Sequence, residues 1–195
     1  MTILFGTQNY GKAKEVKDLF KGKGIEVLTF TGIEDIPNVI EDGDTFEVNA
    51  KKKATAFYEA FRIPVLTDDS GLAVDQLNGE PGVYSARYAG ENATDDENNN
   101  QLLLNLKNHP APHSARFVCC AVYYDGKKFI SSHGTIEGEI IDSPQGKNGF
   151  GYDPLFKPIG YNKTTAELDL IEKNKISHRA KAFIALSNEL LKGNR

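Results

Sequence analysis

The sequence contains only two cysteines, and they are neighbours, Cys119 and Cys120, within an apolar run. Successive side chains of a strand point to opposite faces, so a disulfide between these two would be strained. We therefore expect reduced, buried thiols, which suit a cytoplasmic location because cytosolic thiols are kept reduced. The four histidines are scattered and have no metal-ligand spacing with each other or with the cysteines, which argues against a zinc site.

Other absences exclude whole classes of protein. No stretch approaches the ~18 uncharged apolar residues of a membrane span, and the first residues lack the basic leader and apolar run of a signal peptide. The net charge of −4 provides no global basic field for a nucleic-acid backbone. We expect neither a membrane nor a nucleic acid as partner, so any bound polyanion has to meet a local cluster of cations.

The length, and the absence of a repeat or linker, predict one large domain or two intimately joined lobes over residues 1–195. Periodicity and turn signals predict early strands over Thr2–Phe5, Ile25–Phe30 and Pro64–Leu66, with helices over Gly11–Phe20 and from an N-cap at Thr45 to about Phe61. Later elements are a helix opening at Thr94 or Asp95, a hairpin of Arg116–Tyr124 and Lys128–Ser132 around Asp125-Gly126, a strand over Thr135–Ile141, and a helix from Ser177 to Leu191. Strands that alternate with helices, together with a hairpin, predict an α/β domain with a mixed sheet.

The first candidate site is the segment Gly6–Lys12, which separates a predicted strand from a predicted helix. A helix start directs free N–H groups and the positive end of the helix dipole at an anion, and Lys12 adds a full charge. The segment matches GxxxxGK, but Ala13 stands where a P-loop requires Ser or Thr to hold magnesium. An anion site and a simple connector with a solvated lysine both remain open.

The second candidate is the acidic turn Thr67–Gly71, which follows a short apolar strand. Adjacent carboxylates repel each other unless a cation is near, and their hard oxygens suit magnesium, which also takes substrate phosphate oxygens. The alternative is an exposed Asx turn before Gly71. Glu41 is a candidate third carboxylate or part of a solvated loop, and Lys53 belongs to a lysine run that is usually a solvated helix face.

Two later clusters could bind a ligand through aromatic and polar groups. In the segment Gly149–Pro154, the glycines allow close backbone approach, Phe150 offers a stacking face and Asp153 an acceptor; a tight turn with a buried aromatic is the alternative. The other cluster joins Lys173 to Ser177–Arg179. Cations in the first turn of a helix oppose its dipole, which favours a bound electronegative partner.

Taken in order, these clusters resemble the inosine triphosphate pyrophosphatase family, the Ham1/RdgB-like purine nucleoside triphosphate pyrophosphatases. The resemblance runs nearly end to end through TQNYGK, EDGDTFEVNAKKKA, TDDSGLAVDQLNGEPGVYSARYAG, NGFGYDPLF and EKNKISHRAKA. One departure is Val48, where many members carry an acidic residue. The resemblance implies hydrolysis of ITP, dITP and XTP to the monophosphate and pyrophosphate, with Mg²⁺, by a homodimer. It also implies an elongated mixed sheet flanked by helices, with two lobes around a deep cleft.

The family pattern also implies roles for individual residues. The triphosphate would be bound by the first segment together with Lys53, which gives the set Thr7, Gln8, Asn9, Tyr10, Gly11, Lys12 and Lys53. Glu41 and Asp69, with Asp68, would hold the metal, Asp69 would accept the proton of the attacking water, and Ser70 would contact substrate. The base would be bound by Phe150, Gly151, Tyr152, Asp153, Lys173, His178 and Arg179.

Three other functions remain as alternatives. A Maf-like nucleotide pyrophosphatase would act on modified pyrimidines or on nucleoside triphosphates in general. A P-loop NTPase would release orthophosphate, and Ala13 disfavours it. A nucleotide sensor would bind ITP without turnover and would leave the acidic cluster without a purpose.

Overall fold

The computed structural model of the chain describes residues 1–192, and most of its elements follow the periodicities of the sequence. The α-helices are α1 (Tyr10–Phe20), α2 (Phe46–Phe61), α3 (Asp95–Leu106), α4 (Leu170–Ile176) and α5 (His178–Lys192). The strands are β1 (Thr2–Phe5), β2 (Glu26–Leu28), β3 (Val65–Val74), β4 (His113–Tyr124), β5 (Phe129–Ile140) and β6 (Phe156–Pro158). No helix within residues 1–192 is long and apolar enough to span a membrane.

Side-chain caps determine where the first three helices begin. The Asn9 side chain accepts a hydrogen bond from the Lys12 amide at 3.0 Å, and Thr45 accepts one from the Val48 amide at 3.2 Å. At α3, Thr94 and Glu97 form a reciprocal capping box. The predicted cap at Thr45 and the predicted helix start at Thr94 or Asp95 are therefore confirmed.

The six strands within residues 1–192 form one sheet in the order β2-β1-β3-β4-β5-β6. Strand β1 pairs in parallel with β2 and β3, whereas β5 pairs antiparallel with β6. Neighbouring strands β4 and β5 are joined by the short connection that contains Asp125-Gly126, as the hairpin prediction required. The predicted α/β class with a mixed sheet is confirmed.

Several predicted boundaries were wrong. The segment Thr67–Gly71 is not a turn, because β3 runs through it to Val74. The separate strands predicted over Lys128–Ser132 and Thr135–Ile141 are one strand, β5. Strand β2 is shorter than predicted. Neither β6 nor α4 was predicted, since three and seven residues are too short to show a periodicity.

The chain forms two compact units, each with a core of its own. The first comprises Met1–Asp69, Cys119–Gly134 and the described residues from Arg179 onward. Its largest cluster packs β1 and α1 against α5, with Phe183 in edge contact with Phe5 and Phe20. Helix α2 contributes to two smaller clusters through its apolar face.

The second unit comprises Ser70–Val118 and Thr135–His178. Its core combines apolar residues of the second half of β3 with residues of α3, β5 and β6. Phe117 is one of its buried members, with its ring 4.6 Å from that of Phe156. Tyr152 and Leu155, in the segment that follows Gly149, are buried members of the same core.

Candidate functional site

Parallel pairing of β1 with β3 brings the first two candidate segments together. Phe5 pairs with Leu66, and the Gly6 amide donates to the Leu66 carbonyl at 2.8 Å. The segment after β1 and the acidic residues just beyond Leu66 therefore lie at the same end of neighbouring strands, where α/β sheets usually bind ligands. A Cβ at Gly6 would overlap the Phe57 ring, so this close approach requires glycine.

The segment Thr7–Lys12 forms the start of α1. The Thr7 hydroxyl accepts a hydrogen bond from the Asn9 amide at 3.2 Å, which orients Asn9 to cap the helix. All six residues are exposed or half-buried, and Tyr10 is 83% exposed. The segment thus presents the positive end of a capped helix, as predicted.

Asp68 is the centre of a buried charge cluster. Lys12 Nζ lies 3.0 Å and Arg179 Nε 3.3 Å from Asp68 Oδ2, and the carboxylate is only 1% exposed. Burial would raise the pKa of Asp68, but the charges of Lys12 and Arg179 outweigh burial and hold the pKa below its usual range. Asp68 Oδ1 is buried and has no hydrogen-bond partner among residues 1–192.

Arg179 connects this cluster to Glu15, a residue that the sequence reasoning missed. The Arg179 guanidinium donates to Glu15 Oε2 at 2.6 Å, and both side chains are nearly inaccessible. Burial would lower the pKa of Arg179, but the carboxylates of Glu15 and Asp68 outweigh burial and raise it. The one signal for Glu15 in the sequence is its position one turn after Lys12 on the same face of α1. The contact predicted between Arg179 and the base stays a prediction.

A second group of charges surrounds Asp69. Lys53 Nζ lies 2.6 Å from Glu41 Oε2 and 3.9 Å from Asp69 Oδ1, so the ammonium is shared between the two carboxylates. Asn49 donates to Asp69 Oδ2 at 3.0 Å and also accepts from the Gly43 amide at 2.8 Å. Asn49 was not predicted either. Its signal is a polar residue on the apolar face of α2, one turn after Phe46.

The pKa values of Asp69 and Lys53 are both raised, but burial acts on them in opposite directions. Burial raises the pKa of Asp69, and the Glu41 carboxylate adds to that rise although Lys53 opposes it. Burial would lower the pKa of Lys53, but Asp69 and Glu41 outweigh burial and raise it. Lys53 is therefore a buried, charged lysine and not part of a solvated helix face. Asp69 holds its proton more tightly than an ordinary aspartate, which makes it a stronger base.

In the second unit, Asp153 organises the segment that follows Gly149. Its Oδ2 accepts hydrogen bonds from the Phe150 amide at 2.9 Å and from Lys173 Nζ at 2.6 Å, and its Oδ1 accepts one from the Thr165 hydroxyl at 2.8 Å. The Lys173 ammonium also lies 5.0 Å from the centre of the Phe150 ring. Asp153 thus holds together the aromatic and the cation that were predicted to contact the base.

The other predicted base residues of the second unit are held by ring stacking and hydrogen bonds within that unit. His178 stacks on Phe117 with ring centres 4.9 Å apart, and the Tyr152 hydroxyl donates to the Ser85 carbonyl at 2.8 Å. Gly151 donates through its amide to Asp95 and accepts from Asn99 through its carbonyl. Ser70 lies half-buried in β3.

The structure thus sorts the predicted residues into two groups. The first unit holds the triphosphate and metal candidates together with Arg179, namely Thr7, Gln8, Asn9, Tyr10, Gly11, Lys12, Glu41, Lys53, Asp68, Asp69 and Arg179. The second unit holds Ser70, which was predicted to contact substrate, and the base candidates other than Arg179. These are Phe150, Gly151, Tyr152, Asp153, Lys173 and His178. Each group combines buried charges with hydrogen-bonded positioning residues, but the roles of individual residues stay predictions.

Comparison with known proteins identifies relatives over nearly the whole chain. The sequence model of the Ham1 family matches residues 3–189. A protein of Caldanaerobacter subterraneus subsp. tengcongensis named dITP/XTP pyrophosphatase is 46% identical over 196 residues, which cover 98% of this chain and 97% of that protein.

Solved structures agree with these sequence relatives. A HAM1 protein from Coxiella burnetii is 40% identical and superposes with a TM-score of 0.89, covering 98% of this chain and 99% of that one. The Staphylococcus aureus Ham1 protein is also 40% identical, with a TM-score of 0.86 and complete coverage of both chains.

Proposed function

The chain belongs to the Ham1 family, and we propose that it hydrolyses non-standard purine nucleoside triphosphates (ITP, dITP and XTP) to the monophosphate and pyrophosphate. The observation that carries this proposal is the cluster in which buried Lys53 and Arg179 and half-buried Lys12 face buried Asp68 and Asp69 and half-buried Glu41. Such a cluster supplies cations for phosphate oxygens, carboxylates for a metal and a base for water, and Lys12 joins it to the capped start of α1.

The carboxylates fit a magnesium ion. Glu41, Asp68 and Asp69 offer hard oxygen donors, the kind that Mg²⁺ prefers. Asp68 Oδ1 is a buried carboxylate oxygen without a hydrogen-bond partner among the described residues, and Glu41 contributes to the raised pKa of Asp69. A bound cation would relieve both. When bound, Mg²⁺ neutralises charge on the phosphate oxygens and lowers the pKa of a bound water.

The chain's own residues supply binding and proton transfer. The amides at the start of α1 and the ammonium of Lys12 bind phosphate oxygens. The positive charge of Lys53 stabilises the negative charge of the leaving pyrophosphate. Asp69 accepts a proton from the attacking water, whose oxygen forms a bond to the α-phosphorus. The bond from the α-phosphorus to the bridging oxygen breaks, and its electron pair leaves with pyrophosphate. Asn49 holds the Asp69 carboxylate in one orientation during this transfer.

Base choice follows from the hydrogen-bonding edge of the purine. Hypoxanthine and xanthine carry a carbonyl at position 6, to which Lys173 or His178 can donate, while Phe150 provides a stacking face. Adenine carries an amino group there and lacks the N1 proton that Asp153 would accept. It would leave buried polar groups unpaired at about 1–3 kcal/mol each. Guanine passes both tests, so its rejection requires a further contact at its 2-amino group.

The assembly and location of the protein are part of the same proposal. We expect a homodimer that acts in the cytoplasm on free nucleotides and not on nucleic acid. Cys119 and Cys120 are both free thiols, which suits a reducing compartment. The net charge of −4 disfavours a nucleic-acid backbone as partner.

A substrate panel tests the proposed reaction. Pyrophosphate release should be fast with ITP, XTP and dITP, slow with ATP and GTP, and dependent on Mg²⁺. Equal rates with ATP and ITP would contradict the base-reading argument. Orthophosphate as the product would indicate a P-loop type of reaction, and a preference for modified pyrimidines would indicate a Maf-like activity. Binding of ITP without turnover would indicate a sensor.

A further inference from the structure

Glu47, Cys120 and His133 lie together in the first unit, although they are far apart in sequence. Glu47 is in the first turn of α2, Cys120 in β4 and His133 in β5. One potential ligand atom from each residue lies within 4.8 Å of the other two. Cys120 Sγ is 3.7 Å from His133 Nε2, and that nitrogen is 3.7 Å from Glu47 Oε2. None of these residues has a role in the proposed reaction.

These separations are close to those of ligands that share one zinc ion. Zinc binds sulfur at about 2.3 Å and imidazole nitrogen at about 2.0–2.1 Å, so at a tetrahedral angle the two ligand atoms lie about 3.6 Å apart. A nitrogen and a carboxylate oxygen would lie about 3.4 Å apart by the same geometry. The nitrogen needs to move by only a few tenths of an ångström relative to the sulfur and the oxygen, and the sulfur and oxygen by about an ångström at most relative to each other.

Neighbouring side chains already orient the carboxylate. Lys51 Nζ lies 2.6 Å from Glu47 Oε1, and the Ser131 hydroxyl donates to the same oxygen at 3.0 Å. Oε2 is the oxygen that faces His133. Metal sites regularly contain such partners, which orient a ligand by bonding to its atom that does not face the metal. A simple surface ion pair between Glu47 and His133 would not explain why the Cys120 thiol lies beside the same histidine nitrogen.

The exposure of two of the three side chains permits entry of an ion from solvent. The His133 side chain is 55% exposed, whereas Cys120 is almost fully buried. Burial raises the pKa of Cys120 to about 12, so the thiol carries its proton until an ion displaces it. Binding therefore forms a metal–sulfur bond and releases that proton to water. The fourth coordination position would be filled by water.

We propose that Glu47, Cys120 and His133 form a binding site for one Zn²⁺ ion, formed by different residues from the magnesium carboxylates. The mixed sulfur, nitrogen and oxygen donor set selects zinc or a similar borderline-soft ion. Mg²⁺ prefers oxygen ligands alone and would not compete for the thiolate. An ion there would tie the first turn of α2 to β4 and β5.

Cobalt binding tests the site in the full-length protein. Co²⁺ is added in the presence of excess Mg²⁺, which occupies the carboxylate cluster. We expect one Co²⁺ per chain with a sulfur-to-cobalt charge-transfer band in the near ultraviolet, and Zn²⁺ should displace it. Cys120→Ser should remove the band, and His133→Ala should weaken binding at least about tenfold. Cys119→Ser and His109→Ala are the matched controls and should keep the band.

Thermal unfolding provides a second readout that does not depend on activity. Zn²⁺ should raise the unfolding midpoint of the wild-type chain but not that of His133→Ala, a substitution that the fold tolerates because the side chain is exposed. Absence of the charge-transfer band in the wild-type protein would overturn the proposal. So would a band that persists in folded Cys120→Ser, or one that is lost in Asp69→Asn, since the ion would then occupy the carboxylate cluster.

Discussion

Asp68 and Asp69 are adjacent in sequence, but their carboxylates have opposite surroundings. Both lie in β3, where successive side chains point to opposite faces. Asp68 is paired with Lys12 and Arg179, and its pKa is lowered. Burial and the nearby Glu41 carboxylate raise the pKa of Asp69, although Lys53 and the hydrogen bond from Asn49 oppose that rise. We expect Asp69, and not Asp68, to be the base, because a carboxylate with a raised pKa accepts a proton from water more readily.

Replacing Asp69 with asparagine tests this assignment. We expect Asp69→Asn to fold normally and to lose ~10²-fold or more in kcat for pyrophosphate release from ITP, the scale of general-base loss. Asp96→Asn, at an exposed position in α3, is the control and should retain full turnover. A folded Asp69→Asn protein with near-normal kcat would refute the assignment.

Glu15 should matter for stability because it neutralises a buried guanidinium. Glu15→Ala leaves the buried Arg179 guanidinium to Asp68, a carboxylate that Lys12 also shares, and removing one partner of a buried ion pair costs about 3–5 kcal/mol. Urea unfolding should report a loss of that size, whereas Glu59→Ala, at an exposed position in α2, should change the free energy of unfolding by less than about 0.5 kcal/mol. A change in Glu15→Ala as small as that of the control would show that Asp68 alone satisfies Arg179.

Tyr152 should add a pH-dependent contribution to stability. Burial raises its pKa above the ordinary value of 10.0, so the unfolded chain loses this proton at a lower pH than the folded chain. The contribution is therefore complete below about pH 10 and is lost as pH rises further. Against Tyr152→Phe, the wild type should be about 1 kcal/mol more stable at pH ~8, because of the bond to Ser85, and the gap should narrow by pH ~11. Urea unfolding at both values measures the gap, and a constant or widening gap would contradict this account.

Among the elements, those with a cap and a long periodic face could be predicted from sequence. Helix α2 follows from Thr45 and from the recurrence of Phe46, Ala50 and Ala54, and α3 follows from its capping box. The path of β3 could not be predicted, because Asp, Ser and Gly favour turns locally and only pairing within the sheet keeps them extended. The partners of Lys12, Glu15 and Lys53 could not be predicted from local patterns either, because each partner lies in another segment of the chain and only the fold brings them together.

The connection between β4 and β5 depends on a glycine. Gly126 has φ +87°, and a Cβ there would overlap the phenol ring of Tyr58, which itself packs against Tyr124. Gly126→Ala should therefore lose about 1–3 kcal/mol from overpacking, in addition to the backbone strain. Gly160→Ala is the matched control, because Gly160 has a similar φ of +82° but a Cβ added there would meet no described atom within 4 Å. Equal losses in both variants, measured by urea unfolding, would show that backbone strain alone is responsible.

At the scale of the whole molecule, the charge is unevenly distributed. The net charge is −4, but Lys12, Lys53 and Arg179 are concentrated around three carboxylates in the first unit. These ammonium and guanidinium groups neutralise much of the carboxylate charge by themselves. The fold should therefore persist without a metal, whereas the reaction should not.

Chelation tests that separation. Treatment with a chelator should abolish pyrophosphate release and leave the far-ultraviolet circular dichroism spectrum unchanged, because the lysines and Arg179 keep the carboxylates paired. Mg²⁺ alone should restore activity, which separates this requirement from any zinc bound at Glu47, Cys120 and His133. Turnover that survives chelation would contradict the magnesium assignment.

The packing of Phe183 against Phe5 has a consequence for the newly made chain. The core of the first unit joins β1 to α5, which the ribosome makes after all the other helices and strands described here. At roughly 5–20 residues per second, β1 waits on the order of ten seconds or more for this partner. During that delay its apolar side chains and open strand edges are exposed to other nascent chains. Chaperone demand and losses to aggregation during synthesis should therefore depend on how soon α5 emerges, more than on the final stability of the fold.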